Sequence, residues 1–260
     1  MNDGITTEWA APIMTMTINR GKANAIDAAT SRKMGASFER FRDNPDYRVA
    51  IVTGAGDRFF SAGWDLKAAA EGEAYEADNG PGGFGGFPEL ADLRKPVIVA
   101  VNGLAVGGGF EMVLAADLVV ASDHVEFMLP EALAGIVPDV GLIRLPKLLP
   151  KALATEILMG SRRLSAHEAL QFGLINRVVG ANELMHAAHE LAAAVIAAAP
   201  LSVAAILEAM SQAETTRTPD ALTELRAGSY PLYKRVLESA DAAEGIAAFN
   251  EKRAPRWQGK

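Results

Sequence analysis

Two glutamates and two glycine-bearing loops are the residues of this chain best suited to chemistry. Glu111 follows the run Gly107-Gly108-Gly109-Phe110 and sits in a helical, apolar stretch, Met112-Val113-Leu114. Three glycines let a backbone come close to a ligand. At a helix N-terminus, free amides and the helix dipole favour negative charge. A carboxylate set among apolar residues beside such amides suits acid–base work next to a developing oxyanion. The plainer alternative is that the glycines only allow packing and that the dipole alone favours Glu111.

The second loop is Phe59-Phe60-Ser61-Ala62-Gly63-Trp64-Asp65-Leu66, which follows the turn Gly54-Ala55-Gly56-Asp57. Small residues at a strand-to-helix turn can present the Trp64 amide. Taken alone, the segment is an ordinary loop in which Asp65 caps the next helix. Taken with Gly108, it offers two amides from two loops, which is what an oxyanion hole needs. The third segment is Leu129-Pro130-Glu131, followed by Gly135-Ile136-Val137-Pro138-Asp139. A glutamate fixed behind proline either points into a cleft or is a solvated or N-capping group. One helix and one strand-like run separate Glu111 from Glu131, a connection that can bring the chain back to the same cleft. Two carboxylates there could handle a water and a carbon-bound proton.

Other patterns are weaker. Gly54-x-Gly56-x-x-Phe59 lacks the third glycine of a dinucleotide fingerprint, and His167-Glu168-Ala169-Leu170-Gln171 lacks the second histidine of a zinc-protease helix. Glu183, His186 and His189 share one helical face, where a solvated surface is the commoner explanation than a metal site. Ser61 has Phe59 two positions before it, so it is no nucleophile elbow.

The elements that must position these residues lie in a chain of 260 residues, half of them hydrophobic and 22% charged. That composition fits a folded protein able to bury a large core. Cysteine is absent, which excludes disulfides, thiolate nucleophiles and cysteine-ligated metals. A net charge of -7 argues against a nucleic-acid partner, though backbone amides can still hold an anion locally. Met1 to Glu8 carries no basic run, and Leu191 to Ala199 is too short to span a bilayer, so we expect a cytoplasmic protein with no membrane partner.

The first 180 or so residues alternate strands and helices. Ile13 to Ile18 alternates apolar residues with threonine, as a half-buried strand does. Asp27 to Phe41 is helical, with Asp27 as N-cap and Met34, Phe38 and Phe41 on one face. Val49 to Thr53, Val97 to Val101 and Leu118 to Ala121 are short apolar runs that suggest parallel strands covered on both faces, and Ile175 to Val179 closes the section. From Asn182 onward the pattern is helical, with segments at 184–199, 201–212, 220–227 and 232–249. Gly80 to Pro88 (GPGGFGGFP) has the look of a mobile surface loop or lid.

The three chemical segments, in this order and with Lys22-Ala23-Asn24-Ala25 ahead of them, resemble the crotonase (enoyl-CoA hydratase/isomerase) superfamily over essentially the whole chain. Further runs, among them Arg48-Val49-Ala50-Ile51, Phe59 to Ala74, Gly80 to Phe84 and Glu251-Lys252-Arg253-Ala254-Pro255, are similar to those members that act on a betaine-type acyl group. The resemblance implies an α/β fold, a spiral of ββα turns at 1–199 with a helical oligomerisation region at 200–260. It implies a homotrimer or a dimer of trimers. It also implies that Trp64 and Gly108 supply the oxyanion-hole amides and that Glu111 and Glu131 are catalytic. Ala62, Asp65, Leu66 and Lys67 would follow the CoA path, with Lys22 and Ala23 near its nucleotide end and Lys252 reaching a neighbouring subunit's CoA.

The implied reaction is reversible hydration of a CoA thioester, crotonobetainyl-CoA to carnitinyl-CoA, with no metal and no cofactor beyond the coenzyme A of the substrate. A trimethylammonium group would need aromatic faces and carboxylates, and Trp64, Tyr75, Phe84, Phe87 and Phe110 lie in the matching regions with Glu71, Glu73 and Glu89. The alternatives are a general enoyl-CoA hydratase, an isomerase, a thioesterase, or a CoA-binding member without activity. The last is disfavoured because both carboxylates and both glycine loops are present.

Overall fold

The computed structural model describes residues 4–260. Its first sheet opens with β1 (Gly4–Ala10) antiparallel to β2 (Ile13–Asn19), in register from Gly4 opposite Asn19 to Ala10 opposite Ile13. Along β2 the alternation read from sequence holds: Met14, Met16 and Ile18 are fully buried. Helix α1 (Ala28–Asp43) starts where expected, with the Asp27 carboxylate accepting from the Thr30 amide at 2.7 Å. Its Met34, Phe38 and Phe41 enter the core.

A pattern then repeats. One strand joins the first sheet, a short strand joins a second sheet, and a helical turn follows. The first repeat is β3 (Val49–Gly54), β4 (Phe59–Ser61) and α2 (Leu66–Ala70). The second is β5 (Val97–Val101), β6 (Leu104–Val106) and α3 (Gly108–Ala115). The third is β7 (Leu118–Ser122), β8 (Glu126–Met128) and a 3-10 turn (Glu131–Ala134). After these come α4 (Asp139–Leu148), α5 (Lys151–Gly160), β9 (Leu164–Ser165), α6 (Ala166–Gln171) and β10 (Arg177–Val179).

The first sheet has the order β1-β2-β3-β5-β7-β10, and the second has β4-β6-β8-β9. All pairs are parallel except β1 with β2 and β8 with β9. β3 and β5 are buried along their whole length, because strands covered on both faces need apolar residues at every position. In the second sheet β4, β6 and β8 run side by side. The residues that follow these strands therefore meet along one edge, at the carboxyl ends of parallel strands, where α/β sheets commonly bind ligands. Those residues include Trp64, Gly108 and Glu131.

The described chain forms two compact units. One holds the residues up to Leu93 with Val97–Ala192, and the other holds Arg94–Pro96 with Ala193–Lys260. The division falls inside α7 (Leu184–Ile196). The second unit contains α8 (Pro200–Ala213), α9 (Thr218–Ala227), α10 (Pro231–Leu237) and α11 (Ala240–Glu251). The single helix expected at 232–249 is two helices, because the Ser239 hydroxyl accepts from the Ala242 amide at 3.0 Å and starts a new one. Within this unit the buried Glu208 accepts from the Leu232 amide at 2.9 Å and pairs with Arg94 at 3.1 Å. Among the described residues no single helix is long and apolar enough to cross a membrane.

The segment Gly80 to Pro88 departs from expectation. It is not a surface lid: Gly82, Gly83, Gly85, Gly86 and Phe87 are buried. A Cβ on Gly86 would stand 2.3 Å from the Gly35 nitrogen of α1, and the Phe87 ring lies 5.0 Å from that of Phe38. The glycines are there because backbone packs against backbone, and low complexity does not distinguish that from solvent exposure.

Candidate active site

A cleft of about 400 Å³ lies where β4, β6 and β8 end. Of the residues singled out by sequence, Glu111, Glu131, Trp64, Gly108, Ala62, Asp65, Leu66 and Lys67 all line it. Lys22 and Ala23 do not. Lys22 is exposed in a turn, and the Ala23 carbonyl accepts the Ala62 amide at 2.9 Å, so Ala23 supports the cleft from behind.

The two backbone loops are locked together. Gly63 has φ +77, and a Cβ there would stand 2.7 Å from both the Gly108 nitrogen and the Val106 carbonyl oxygen. Only glycine combines that backbone conformation with that closeness. The Gly63 carbonyl accepts the Ile26 amide at 2.8 Å and the Asp65 amide donates to the Ile26 carbonyl at 2.9 Å, a bridge that leaves the Trp64 N–H unused. The Gly108 N–H begins α3, where an amide has no intrahelical acceptor. Ser61 fixes the turn, since its hydroxyl donates to the Asn24 carbonyl at 2.8 Å and accepts the Gly63 amide at 3.1 Å. Each glycine of the triplet answers a different neighbour. A Cβ would reach Glu131 Oε1 at 2.8 Å from Gly107, the Phe84 ring at 2.4 Å from Gly108, and the Ser61 carbonyl oxygen at 2.3 Å from Gly109.

Both glutamates are buried, at 6% exposure for Glu111 and 7% for Glu131. Burial pushes the Glu111 carboxyl up to about 8, against the pull of the Gly141 amide and with help from the nearby Asp139 and Glu131. That amide donates to Glu111 Oε1 at 2.7 Å. Burial also raises Glu131, opposed by its own backbone amide and reinforced by Asp139. Glu131 Oε2 is buried and has no hydrogen-bond partner among the described residues, an atom free to take up or give a proton. Two carboxyls with raised affinity for protons, beside two unengaged amides, can move a proton on and off a carbon next to a polarised carbonyl.

Trp64, Tyr75, Phe84 and Glu73 form other parts of the lining. The Trp64 indole N–H donates to Glu73 Oε1 at 2.9 Å, and the same carboxylate accepts the Ala28 amide. Tyr75 stands edge-on to Trp64 at 5.2 Å, and its hydroxyl donates to the Val137 carbonyl at 2.7 Å. Of the other aromatic candidates, Phe87 packs on Phe38 and Phe110 on Phe127 in the core, so neither reaches the cleft. Glu71 caps the C-terminus of α2, and Glu89 lies beside Gly83; neither lines the cleft. Asp65 is held by Arg20, which also binds Asp27, so one guanidinium ties the starts of α1 and α2 together. Burial would raise the Asp65 carboxyl, but the hydrogen bonds from Arg20 and the Lys67 amide outweigh it and leave it below its usual range.

Glu183, His186 and His189 are exposed, and His186 faces Glu190 at 3.3 Å, an ordinary helix surface. Sequence reasoning assigned no role to Asp139, which lines the cleft beside Glu111. Its signal was a carboxylate at the first position of α4, right after Pro138.

The family model described as Enoyl-CoA hydratase/isomerase matches residues 8–260. A carnitinyl-CoA dehydratase of Salmonella arizonae is 54% identical over 260 residues, covering all of both chains. A carnitinyl-CoA dehydratase of Proteus mirabilis is 55% identical over 261 residues, again covering all of both. The crystal structure of an enoyl-CoA hydratase from Mycobacterium tuberculosis superposes with a TM-score of 0.90 at 36% identity over the whole of both chains. That from Bacillus anthracis gives 0.88 at 30% identity over 99% of this chain and 100% of the other.

Proposed function

The chain belongs to the enoyl-CoA hydratase/isomerase family, and from that premise we propose that it is a hydro-lyase acting on crotonobetainyl-CoA and carnitinyl-CoA. The observation that carries the reading is the meeting of two buried glutamates with the Trp64 and Gly108 amides in one cleft. The names of relatives more than half identical over their full length support the betaine-type acyl group.

In hydration, the amides of Trp64 and Gly108 hold the thioester oxygen as negative charge grows on it. A water oxygen bonds to the β carbon while Glu111 takes the water's proton. The electrons of the double bond move toward the thioester, and Glu131 delivers its proton to the α carbon. Dehydration is the reverse: Glu131 removes the α proton and Glu111 protonates the departing hydroxyl. The two carboxyls together carry one proton in the working state, and the direction depends on which of them holds it. Each amide donor lowers the barrier by about 2.7–4 kcal/mol.

Trp64, Tyr75 and Phe84 present aromatic faces to the trimethylammonium group, with Glu73 and Asp139 supplying negative charge. Coenzyme A follows Ala62, Asp65, Leu66 and Lys67, with Lys22 and Ala23 toward its nucleotide end. The protein works in the cytoplasm as a homotrimer or dimer of trimers. The exposed Ile206, Met210, Leu222, Leu237, Ile246 and Phe249 of the helical unit support burial against other copies. An assay that supplies crotonobetainyl-CoA and crotonyl-CoA in parallel tests the substrate. Two cation–π contacts of roughly 0.5–2 kcal/mol each predict a preference of several-fold to several-hundred-fold for the cationic thioester. Equal kcat/KM on both would leave a general enoyl-CoA hydratase.

A further inference from the structure

One carboxylate of the cleft reaches a side chain and a helix start at once. Glu73 follows α2, where its own amide donates to the Ala68 carbonyl at 2.9 Å. Its Oε1 accepts the Trp64 indole N–H at 2.9 Å, and its two oxygens accept the Ala28 amide at 3.2 and 3.1 Å. Ala28 is the first residue of α1, where an amide has no acceptor within the helix, and the first turn of α1 carries no acidic residue of its own. Glu73 fills that place from 45 residues away in sequence. Trp64 is therefore tied twice to the same short segment. Its backbone pairs with Ile26, and its side chain is held through Glu73 to Ala28.

The first tie sets the amide, and the second sets the ring. With water as its only acceptor, an indole in an open cleft is free to change rotamer. A hydrogen bond to a carboxylate is about twice as strong as one between neutral groups, so Glu73 holds the ring in one orientation. Tyr75 meets that ring edge-on at 5.2 Å and is itself anchored by its hydroxyl on the Val137 carbonyl. Ala28, Glu73, Trp64 and Tyr75 thus join the start of α1 to the segment before α4 in one wall of the cleft.

We propose that Glu73 is a positioning residue for acyl recognition: its carboxylate fixes the Trp64 indole as a wall of the acyl pocket, and it acts on the substrate through that ring. This role rests on the hydratase reading of the cleft and adds to it the residue that sets the pocket's shape. The Trp64 backbone is held separately by Ile26, so loss of the indole contact weakens acyl binding and spares the chemical step.

Two substitutions separate reach from charge. E73Q keeps the length and an acceptor oxygen but loses the charge. E73D keeps the charge but is one methylene shorter, too short to reach the indole from the same backbone. The first readout is the Trp64 indole N–H signal of ligand-free protein labelled with nitrogen-15 tryptophan. It is told from the signals of Trp9 and Trp257 by its loss in W64F. The second readout is kinetics on crotonobetainyl-CoA. We expect the E73Q signal to stay near that of the unmodified protein, and the E73D signal to move upfield and exchange faster with water. KM rises about tenfold in E73D, the size of one cation–π contact, and by no more than about threefold in E73Q, with kcat held in both. An indole signal unmoved in E73D, or the reverse ranking of the two variants, overturns the proposal, as does a loss of kcat at constant KM. Absence of turnover in the unmodified protein would sink the hydratase reading, yet the indole signal would still decide whether Glu73 holds Trp64.

Discussion

Gly63→Ala adds one methyl group and removes no functional group, yet the geometry makes it one of the most damaging changes available. The residue sits at φ +77, where a side chain costs about 1–2 kcal/mol. The new Cβ would also stand 2.7 Å from the Gly108 nitrogen and from the Val106 carbonyl oxygen. Both are backbone atoms, so relief comes only from moving one loop away from the other. That separates the Trp64 and Gly108 amides, which must converge on one oxygen. Loss of one such donor costs about 2.7–4 kcal/mol, or roughly 10²–10³ in kcat. Gly173→Ala is the matched control. It has φ +74 but nothing within 4 Å of its Cβ, so it carries the backbone strain alone. The assay is hydration kinetics on the preferred thioester, with thermal unfolding of both variants. We expect Gly173→Ala to lose about 1–2 kcal/mol of stability, Gly63→Ala to lose more because of its backbone clash, and only Gly63→Ala to lose kcat. Near-normal kcat in Gly63→Ala would refute the claim that the two loops act as one oxyanion site.

Glu111→Gln and Glu131→Gln each lower turnover by roughly 10²–10⁴ while calorimetry still detects CoA-thioester binding; normal turnover in either would remove that residue from the mechanism. Glu111→Gln also stabilises the protein at high pH. The folded carboxyl is raised from 4.5 to about 8, so the unfolded chain ionises first and native stability falls as pH rises through that window. Thermal scans should show the variant melting above the parent at pH 8, with the gap closing toward pH 4.5; a gap independent of pH would contradict this. The kcat/KM profile should be bell-shaped, because both directions start from the singly protonated pair, with its basic limb near 8. Light scattering at micromolar concentration should report a trimer or hexamer, and a monomer would defeat the proposed assembly.

Much of the site was legible because its chemistry is carried by residues with few alternatives. Buried strands such as Val97–Val101 announce themselves by unbroken apolar runs, and Asp27 by its capping chemistry. The second sheet was not legible. β4, β6 and β8 are three residues each, too short for any period to emerge, and yet their side-by-side order is what brings Trp64, Gly108 and Glu131 together. β1 was missed because its outward positions carry only Thr6, Glu8 and Ala10, and its inward ones are half-buried, beside a partner strand that supplies most of the buried groups. The glycines of Gly80–Pro88 meet backbone that is distant in sequence, which no local pattern reveals. Asp139 was visible as a residue but not as part of the cleft that holds Glu111, because the packing of α4 against α3 brings it there.

The most direct test of the account follows the atoms. Crotonobetainyl-CoA is incubated with the protein in water enriched in oxygen-18 and, separately, in deuterium oxide, and the products are read by mass spectrometry. The paired-glutamate mechanism predicts carnitinyl-CoA with one heavy oxygen on the β carbon and one deuterium on the α carbon, with the thioester intact, and neither label in Glu111→Gln. A shifted double bond without heavy oxygen, or free coenzyme A with the label in a carboxylate, would contradict it.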